Sequence, residues 1–155
     1  MPFKQINILL ADDDADDCIF FKQALTELII PTLLTTVHDG EQLMQLLTDE
    51  TKKLPNILFL DLNMPRKNGF ECLAEIKQNN KLKLLPVIIF STSFEQEVVN
   101  TLYQNGAQHF IRKPAEFSQF KTIIQQALTL IAQGEITQAT KENFVLPQLA
   151  SKCNK

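Results

Sequence analysis

The sequence predicts an α/β fold with a parallel sheet and helices on both of its faces. Three observations predict it. Short, wholly apolar runs recur along the chain, each closed by acidic or turn residues, as expected of strands buried on both faces. Between them lie stretches whose apolar residues repeat at helical spacing. The two kinds alternate, five strands with five helices. Such alternation favours parallel strands joined by right-handed crossovers.

Ile6 to Ala11 is the first strand, broken by Asp12, Asp13 and Asp14. Phe20, Phe21, Ala24, Leu25 and Leu28 then mark a core-facing helix. Asp14, Asp16 and Asp17 are placed to cap that helix and complement its dipole. Pro31 ends the connection, and Leu33 to Val37 is the second strand, ending in His38-Asp39. Gly40, Leu43, Met44, Leu46 and Leu47 mark a short second helix, and Pro55 breaks the chain before the central strand, Ile57 to Leu60. Asp61 closes that strand. Asn68-Gly69 ends the following loop, and Phe70, Leu73, Ala74 and Ile76 begin the third helix. Val87 to Phe90 is the fourth strand, followed by Ser91-Thr92-Ser93. Val98, Val99, Leu102 and Tyr103 imply a helix stopped by Asn105-Gly106. His109 to Arg112 is the fifth strand, ending at Lys113-Pro114. The last helix carries Phe117, Phe120, Ile123, Ile124, Ala127, Leu128 and Ile131, and Gly134 ends it. The expected division is a domain over 1–132 and a weakly patterned tail over 133–155, with no separate output domain.

Composition narrows the function. The 155 residues suit one domain, with 45% hydrophobic and 21% charged residues. A net charge of −3 gives no electrostatic case for nucleic acid. Cys18, Cys72 and Cys153 are too scattered for a disulfide framework or a zinc site. The first apolar run is too short for a signal peptide, and no run approaches a membrane span. These features fit a cytoplasmic protein. His38 and His109 lack ligand spacing to another His or Cys and read as structural or exposed residues.

In a parallel sheet the strands' carboxyl ends share one edge, where open α/β sheets place their ligands. Here that edge gathers Asp12, Asp13, Asp61, Ser91, Thr92 and Lys113. Carboxylates packed together cost free energy unless a cation or proton relieves them. Mg²⁺, which prefers oxygen ligands, is the natural relief, and Lys113 can pair with whichever carboxylate faces it. Other chemistries of such folds fit less well. The Asp-Asp-Asp loop would repel a flavin phosphate. Asn63 stands where a dehalogenase-type phosphatase needs a second carboxylate for proton transfer. No G-x-G-x-x-G run offers a dinucleotide site.

An ordered set of residues here resembles the response-regulator receiver domains of two-component signalling. It comprises Asp12-Asp13, Asp61 within D-x-N-M-P-x-x-N-G, Ser91, and Lys113-Pro114, and it spans about residues 5–132. ADDDADD before an amphipathic helix is similar to the small stand-alone receivers that serve phytochrome-type histidine kinases. The resemblance implies a doubly wound, flavodoxin-like receiver fold with five strands in the order 2-1-3-4-5. It implies that Asp61 accepts a phosphoryl group from a histidine kinase or histidine phosphotransfer protein. It implies Mg²⁺ on Asp13, Asp61 and the backbone carbonyl of Asn63, with Asp12 holding the ion through water. Lys113 and Ser91 would contact the phosphoryl group, and Phe110 would change rotamer with Ser91. The Lys113-Pro114 bond would be cis. Counting from Pro86 favours Ser91 over Thr92 as the hydroxyl group. Departures from the family pattern are Ser91 for the commoner Thr, Thr92 for a smaller residue, and Phe110 for the common Tyr. The face formed by the fourth helix, fifth strand and fifth helix is the candidate surface for a homodimer or a partner. The alternative is a phosphate-independent interaction module of the same fold.

Overall fold

A computed structural model describes residues 5–92, 94–133 and 140–146. The chain runs β1 (Ile6–Ala11), α1 (Ala15–Thr26), β2 (Thr32–Val37), α2 (Gly40–Thr48), β3 (Ile57–Leu60) and α3 (Gly69–Gln78). It continues with β4 (Val87–Ser91), α4 (Gln96–Gln104), β5 (His109–Arg112), α5 (Phe117–Ala132), a 3₁₀ turn (Lys141–Asn143) and β6 (Val145–Leu146). The alternation expected of an α/β sheet is present throughout.

All strand pairs are parallel, and the sheet order is β2-β1-β3-β4-β5-β6. The expected order 2-1-3-4-5 is therefore kept, but the sheet has six strands rather than five. The sixth comes from the expected tail. Val145 pairs with Phe110 and Leu146 with Ile111. A two-residue strand has no readable periodicity, so its burial against β5 could not be seen beforehand. Residues 134–139 and 147–155, including Gly134 and Cys153, lie outside the described residues.

The four central strands carry their apolar residues to both faces. On one side, α1 and α5 cover Ile8, Leu10, Phe59, Phe90 and Ile111. Phe21, Phe59, Phe90 and Phe120 meet there edge to face at centroid distances of 4.9 to 6.3 Å. Such pairs satisfy the ring quadrupoles as well as burying area. On the other side, α2, α3 and α4 cover Leu9, Leu58, Leu60, Ile89 and Phe110, and Phe144 from the C-terminal segment joins them. The wide apolar stripe of α5 is mostly core: Phe120, Ile123, Ile124, Ala127 and Leu128 are buried.

Helix ends follow the local sequence. Asp14 caps α1, accepting from the backbone of Asp16 at 2.9 Å and Asp17 at 3.2 Å. Asn68 and Glu71 form a reciprocal capping box on α3. At the end of α4, Gly106 adopts φ +96°. There the Gly106 N–H bonds Tyr103 O at 3.1 Å and the Ala107 N–H bonds Leu102 O at 3.2 Å. This pair of bonds is a Schellman motif, and glycine takes its left-handed position without a Cβ penalty.

Candidate functional site

Strands β1, β3, β4 and β5 each deliver a different group to one edge of the sheet. Asp12 follows β1 directly; its backbone N–H bonds Val37 O at 3.0 Å, so the sheet ladder fixes it. Asp61 follows β3 in the same way, its N–H bonding Ala11 O at 2.9 Å. Lys113 follows β5, its N–H bonding Ser91 O at 2.9 Å. Three backbone bonds thus hold the two carboxylates and the ammonium in register. Ser91 is the last residue of β4 and is buried, whereas Thr92 is exposed.

Lys113 is the centre of the cluster. Its Nζ lies 2.7 Å from Asp17 Oδ2, 2.9 Å from Asp12 Oδ2 and 3.6 Å from Asp61 Oδ2. The ammonium also sits 5.2 Å from the Phe90 ring centroid, a cation–π contact. Asp12 and Asp61 are buried, and Asp13 is exposed. The Asp12 backbone carbonyl faces His38 Nδ1 at 3.2 Å, so His38 supports the loop, and it is not one of the residues gathered in the acidic cluster. Asp39 caps α2 by accepting from Gln42 N at 2.8 Å and pairs with Arg66 at 3.4 Å. Neither residue after β2 joins the cluster.

Electrostatics follow from this packing. Burial, reinforced by the charge of Asp12, pushes the Asp61 carboxyl up to about 7, against the pull of Lys113 and the Asn63 backbone. Burial likewise raises Asp12, with Lys113 and the Asp14 N–H opposing it. For Lys113, burial works against the charge. Its contacts with Asp17 and Asp12 outweigh burial, so the ammonium is held above its usual range. The site therefore holds two buried carboxylates, Asp12 and Asp61, that resist ionisation, beside one firmly charged cation.

That imbalance suits a divalent cation. Asp12, Asp13 and Asp61 each offer an oxygen within 4.8 Å of the others. Asp12 Oδ2 is buried and has no hydrogen-bond partner; its approach to Lys113 is an ion pair without hydrogen-bond geometry. A buried, under-satisfied carboxylate oxygen in an all-oxygen set is the donor chemistry that hard cations take. Asn63 is exposed, and its N–H reaches Asp61 Oδ1 at 3.4 Å.

Phe110, on β5, is fully buried. Its ring lies 5.8 Å from Phe94 and 6.5 Å from Phe144. The sequence reading missed two participants. Asp17 was read as a helix cap and dipole partner, although it supplies the shortest carboxylate contact to Lys113. Its place in the first turn of α1, where acidic residues are common, gave no signal of that contact. Phe144 carried no signal beyond being a lone aromatic in a polar stretch.

Comparison with known proteins agrees with this geometry. Residues 8–125 match the response regulator receiver domain family. The response regulator Rcp1 of Synechocystis sp. is 33% identical over 122 residues, which cover 76% of this chain and 83% of Rcp1. A crystal structure of the Mn²⁺-bound form of Rcp1 aligns with TM-score 0.77 and 29% identity, covering 87% of this chain and 99% of that one. The phosphorylated cyanobacterial phytochrome response regulator RcpA aligns with TM-score 0.78 and 30% identity, covering 88% and 98%. The chain belongs to the response regulator receiver domain family, the phosphorylation-dependent modules of two-component signalling.

Proposed function

We propose that Asp61 accepts a phosphoryl group from a histidine kinase or histidine phosphotransfer protein. The observation that carries this reading is a buried carboxylate at the end of the central strand, with an ammonium 3.6 Å away and two further carboxylates beside it. Asp61 Oδ attacks phosphorus in line, and the bond to the donor's nitrogen or oxygen breaks. The protein's part is positioning and charge compensation, which dominate phosphoryl transfer. Asp13, Asp61 and the Asn63 carbonyl would hold Mg²⁺, with Asp12 reaching it through water, and the ion would supply charge compensation for the oxygens gathered around phosphorus. Lys113 pairs with a phosphoryl oxygen. Ser91, or Thr92 beside it, donates a hydroxyl hydrogen bond to another.

Asp61 is consumed and regenerated, so the chain is a phosphoacceptor that assists its own phosphorylation and dephosphorylation rather than an enzyme with a separate substrate. Ser91 and Phe110 form the switch, and the face of α4, β5 and α5 carries the signal to a partner or a second copy. Residues 1–132 form the receiver unit, acting in the cytoplasm, and Val145 and Leu146 cover the β5 edge. Among the described residues no helix is long and apolar enough to cross a membrane.

Acetyl phosphate with Mg²⁺ tests the reading. Mass spectrometry should show one added phosphoryl group on the wild type and none on Asp61→Asn. A wild type that takes up no phosphoryl group would favour the phosphate-independent module instead.

A further inference from the structure

Lys113 has three N–H donors, and its place among three carboxylates depends on which of them holds it. The backbone end of the side chain is fixed by the Lys113 N–H bond to Ser91 O at 2.9 Å. The ammonium end is fixed by Asp17, whose Oδ2 accepts a hydrogen bond at 2.7 Å. Asp17 is not a strand-end residue. It stands in the first turn of α1, a different element from the acceptor, and is held there by its own N–H bond to Asp14 Oδ1 at 3.2 Å. Asp61, by contrast, is the most distant of the three carboxylates, at 3.6 Å.

We propose that Asp17 is a positioning residue for phosphoryl transfer: it tethers the Lys113 ammonium toward α1 and off Asp61 in the resting protein. The inference rests on the reading of Asp61 as phosphoacceptor. Without the tether, Lys113, already 2.9 Å from Asp12, would settle on Asp61 as well. It would then compete with a cation for the same oxygens and cover the nucleophilic carboxylate. Closing the gap from 3.6 Å to about 2.8 Å, at an effective dielectric of about 20, is worth up to about tenfold in cation affinity. With the tether in place, Asp61 Oδ is open to an acyl phosphate. Oδ bonds to phosphorus, the P–O bond to the departing carboxylate breaks, and that carboxylate leaves with the electron pair; no proton moves. Lys113 then needs only a short swing to meet the new phosphoryl oxygen.

A double-mutant cycle tests the tether. Wild type, Asp17→Asn, Lys113→Gln and the double variant are compared in two measurements. One is Mg²⁺ binding by calorimetry, and the other is the initial rate of phosphorylation by acetyl phosphate at saturating Mg²⁺. Asp17→Asn should weaken Mg²⁺ binding and slow phosphorylation by about threefold to tenfold in the wild-type background. In the Lys113→Gln background the same substitution should change neither by more than about 1.5-fold, because no ammonium remains to be tethered. Asp16→Asn removes a neighbouring first-turn charge that does not touch Lys113, and should leave both readings at the wild-type level. Equal losses in both backgrounds would overturn the tether and leave a plain through-space charge effect, as would equal losses in Asp16→Asn and Asp17→Asn. If the wild type itself takes up no phosphoryl group, the reading of Asp61 fails, and the Mg²⁺ cycle alone still decides the role of Asp17.

Discussion

Phe144 is built onto Phe110 twice. The Phe144 carbonyl accepts the Phe110 backbone N–H at 2.9 Å, and the two rings lie 6.5 Å apart. Tyr103 of α4 closes the other side of Phe144, with ring centroids 5.3 Å apart. One short segment thus links α4, the buried aromatic of β5 and the sheet edge. Phe144→Ala should lower stability. A core Phe→Ala change costs about 3–5 kcal/mol, but an edge segment can undock, so the loss here should be nearer 2 kcal/mol. Amide exchange at Phe110 should quicken together with the fall in the urea midpoint. Unchanged protection at Phe110 would mean that the segment is held by something other than Phe144.

His109 gives the same contact a pH dependence. It is buried, and its Nδ1 lies 3.2 Å from Phe144 O. Burial holds the imidazole below its usual value, and the Phe144 and Asn143 backbone contacts pull the other way. A depressed folded-state value means that the unfolded chain binds the proton first. The contribution of neutral His109 is therefore complete above about pH 6.5 and is lost as pH falls through the folded value. Asp61 has the opposite sign in the same window, so the useful comparison keeps Asp61 in both proteins. Between pH 8 and pH 5.5 the wild type should lose more melting temperature than His109→Gln. Parallel curves would remove His109 as the cause.

Much of the fold was legible because each strand was a short apolar run with a sharp polar stop. Ile57 to Leu60 followed by Asp61 could hardly be placed other than at the buried centre of a sheet, and the same logic placed Asp12, Ser91 and Lys113. What stayed hidden depended on pairing rather than pattern. Val145 and Leu146 make a strand only because β5 offers an unpaired edge. Asp17 looks like any acidic residue in a first helical turn until Lys113 is seen to reach it across the sheet edge. Most apolar residues of the α5 stripe are core, and Phe144 covers Tyr103 on the neighbouring helix.

Gly69 marks how tightly the acceptor loop is closed. A Cβ there would meet the Asp61 carbonyl oxygen at 2.5 Å and Leu62 Cα at 2.8 Å, both of them backbone. The Gly69 N–H also bonds Leu62 O at 3.0 Å, so the start of α3 is laid directly on the residues after β3. Backbone cannot step aside as a side chain can. Gly69→Ala should cost about 1–3 kcal/mol by overpacking. It should also slow acetyl phosphate labelling by about tenfold or more, since small displacements of a reacting group are expensive. Labelling at the wild-type rate with lowered stability would show that the loop absorbs the strain without moving Asp61.

Asp61 itself should weaken the metal-free protein. Its carboxyl is pushed up to about 7, chiefly by burial and then by the Asp12 charge, with Lys113 and Asn63 opposing. In the unfolded chain the same group titrates near 3.9, as any exposed aspartate does (about this value,). The folded state therefore keeps the proton over a range where the unfolded state has released it. Stability from this group is greatest below about pH 3.9, falls as pH rises toward about 7, and is flat beyond. Asparagine has no charge to bury, and it can still accept from the Asn63 N–H. It forfeits only the longest of the Lys113 contacts, at 3.6 Å. In chelator at pH 8, Asp61→Asn should thus be more stable than wild type by roughly 2–4 kcal/mol, with the gap narrowing toward pH 5. Mg²⁺ should raise the wild-type melting temperature at pH 8 by mass action and raise that of the variant less, since one oxygen donor has lost its charge. Denaturant curves at the two pH values, with and without Mg²⁺, separate these effects. A variant no more stable than wild type at pH 8 would mean that Asp61 ionises at little cost, with Lys113 rather than a bound cation carrying its compensation.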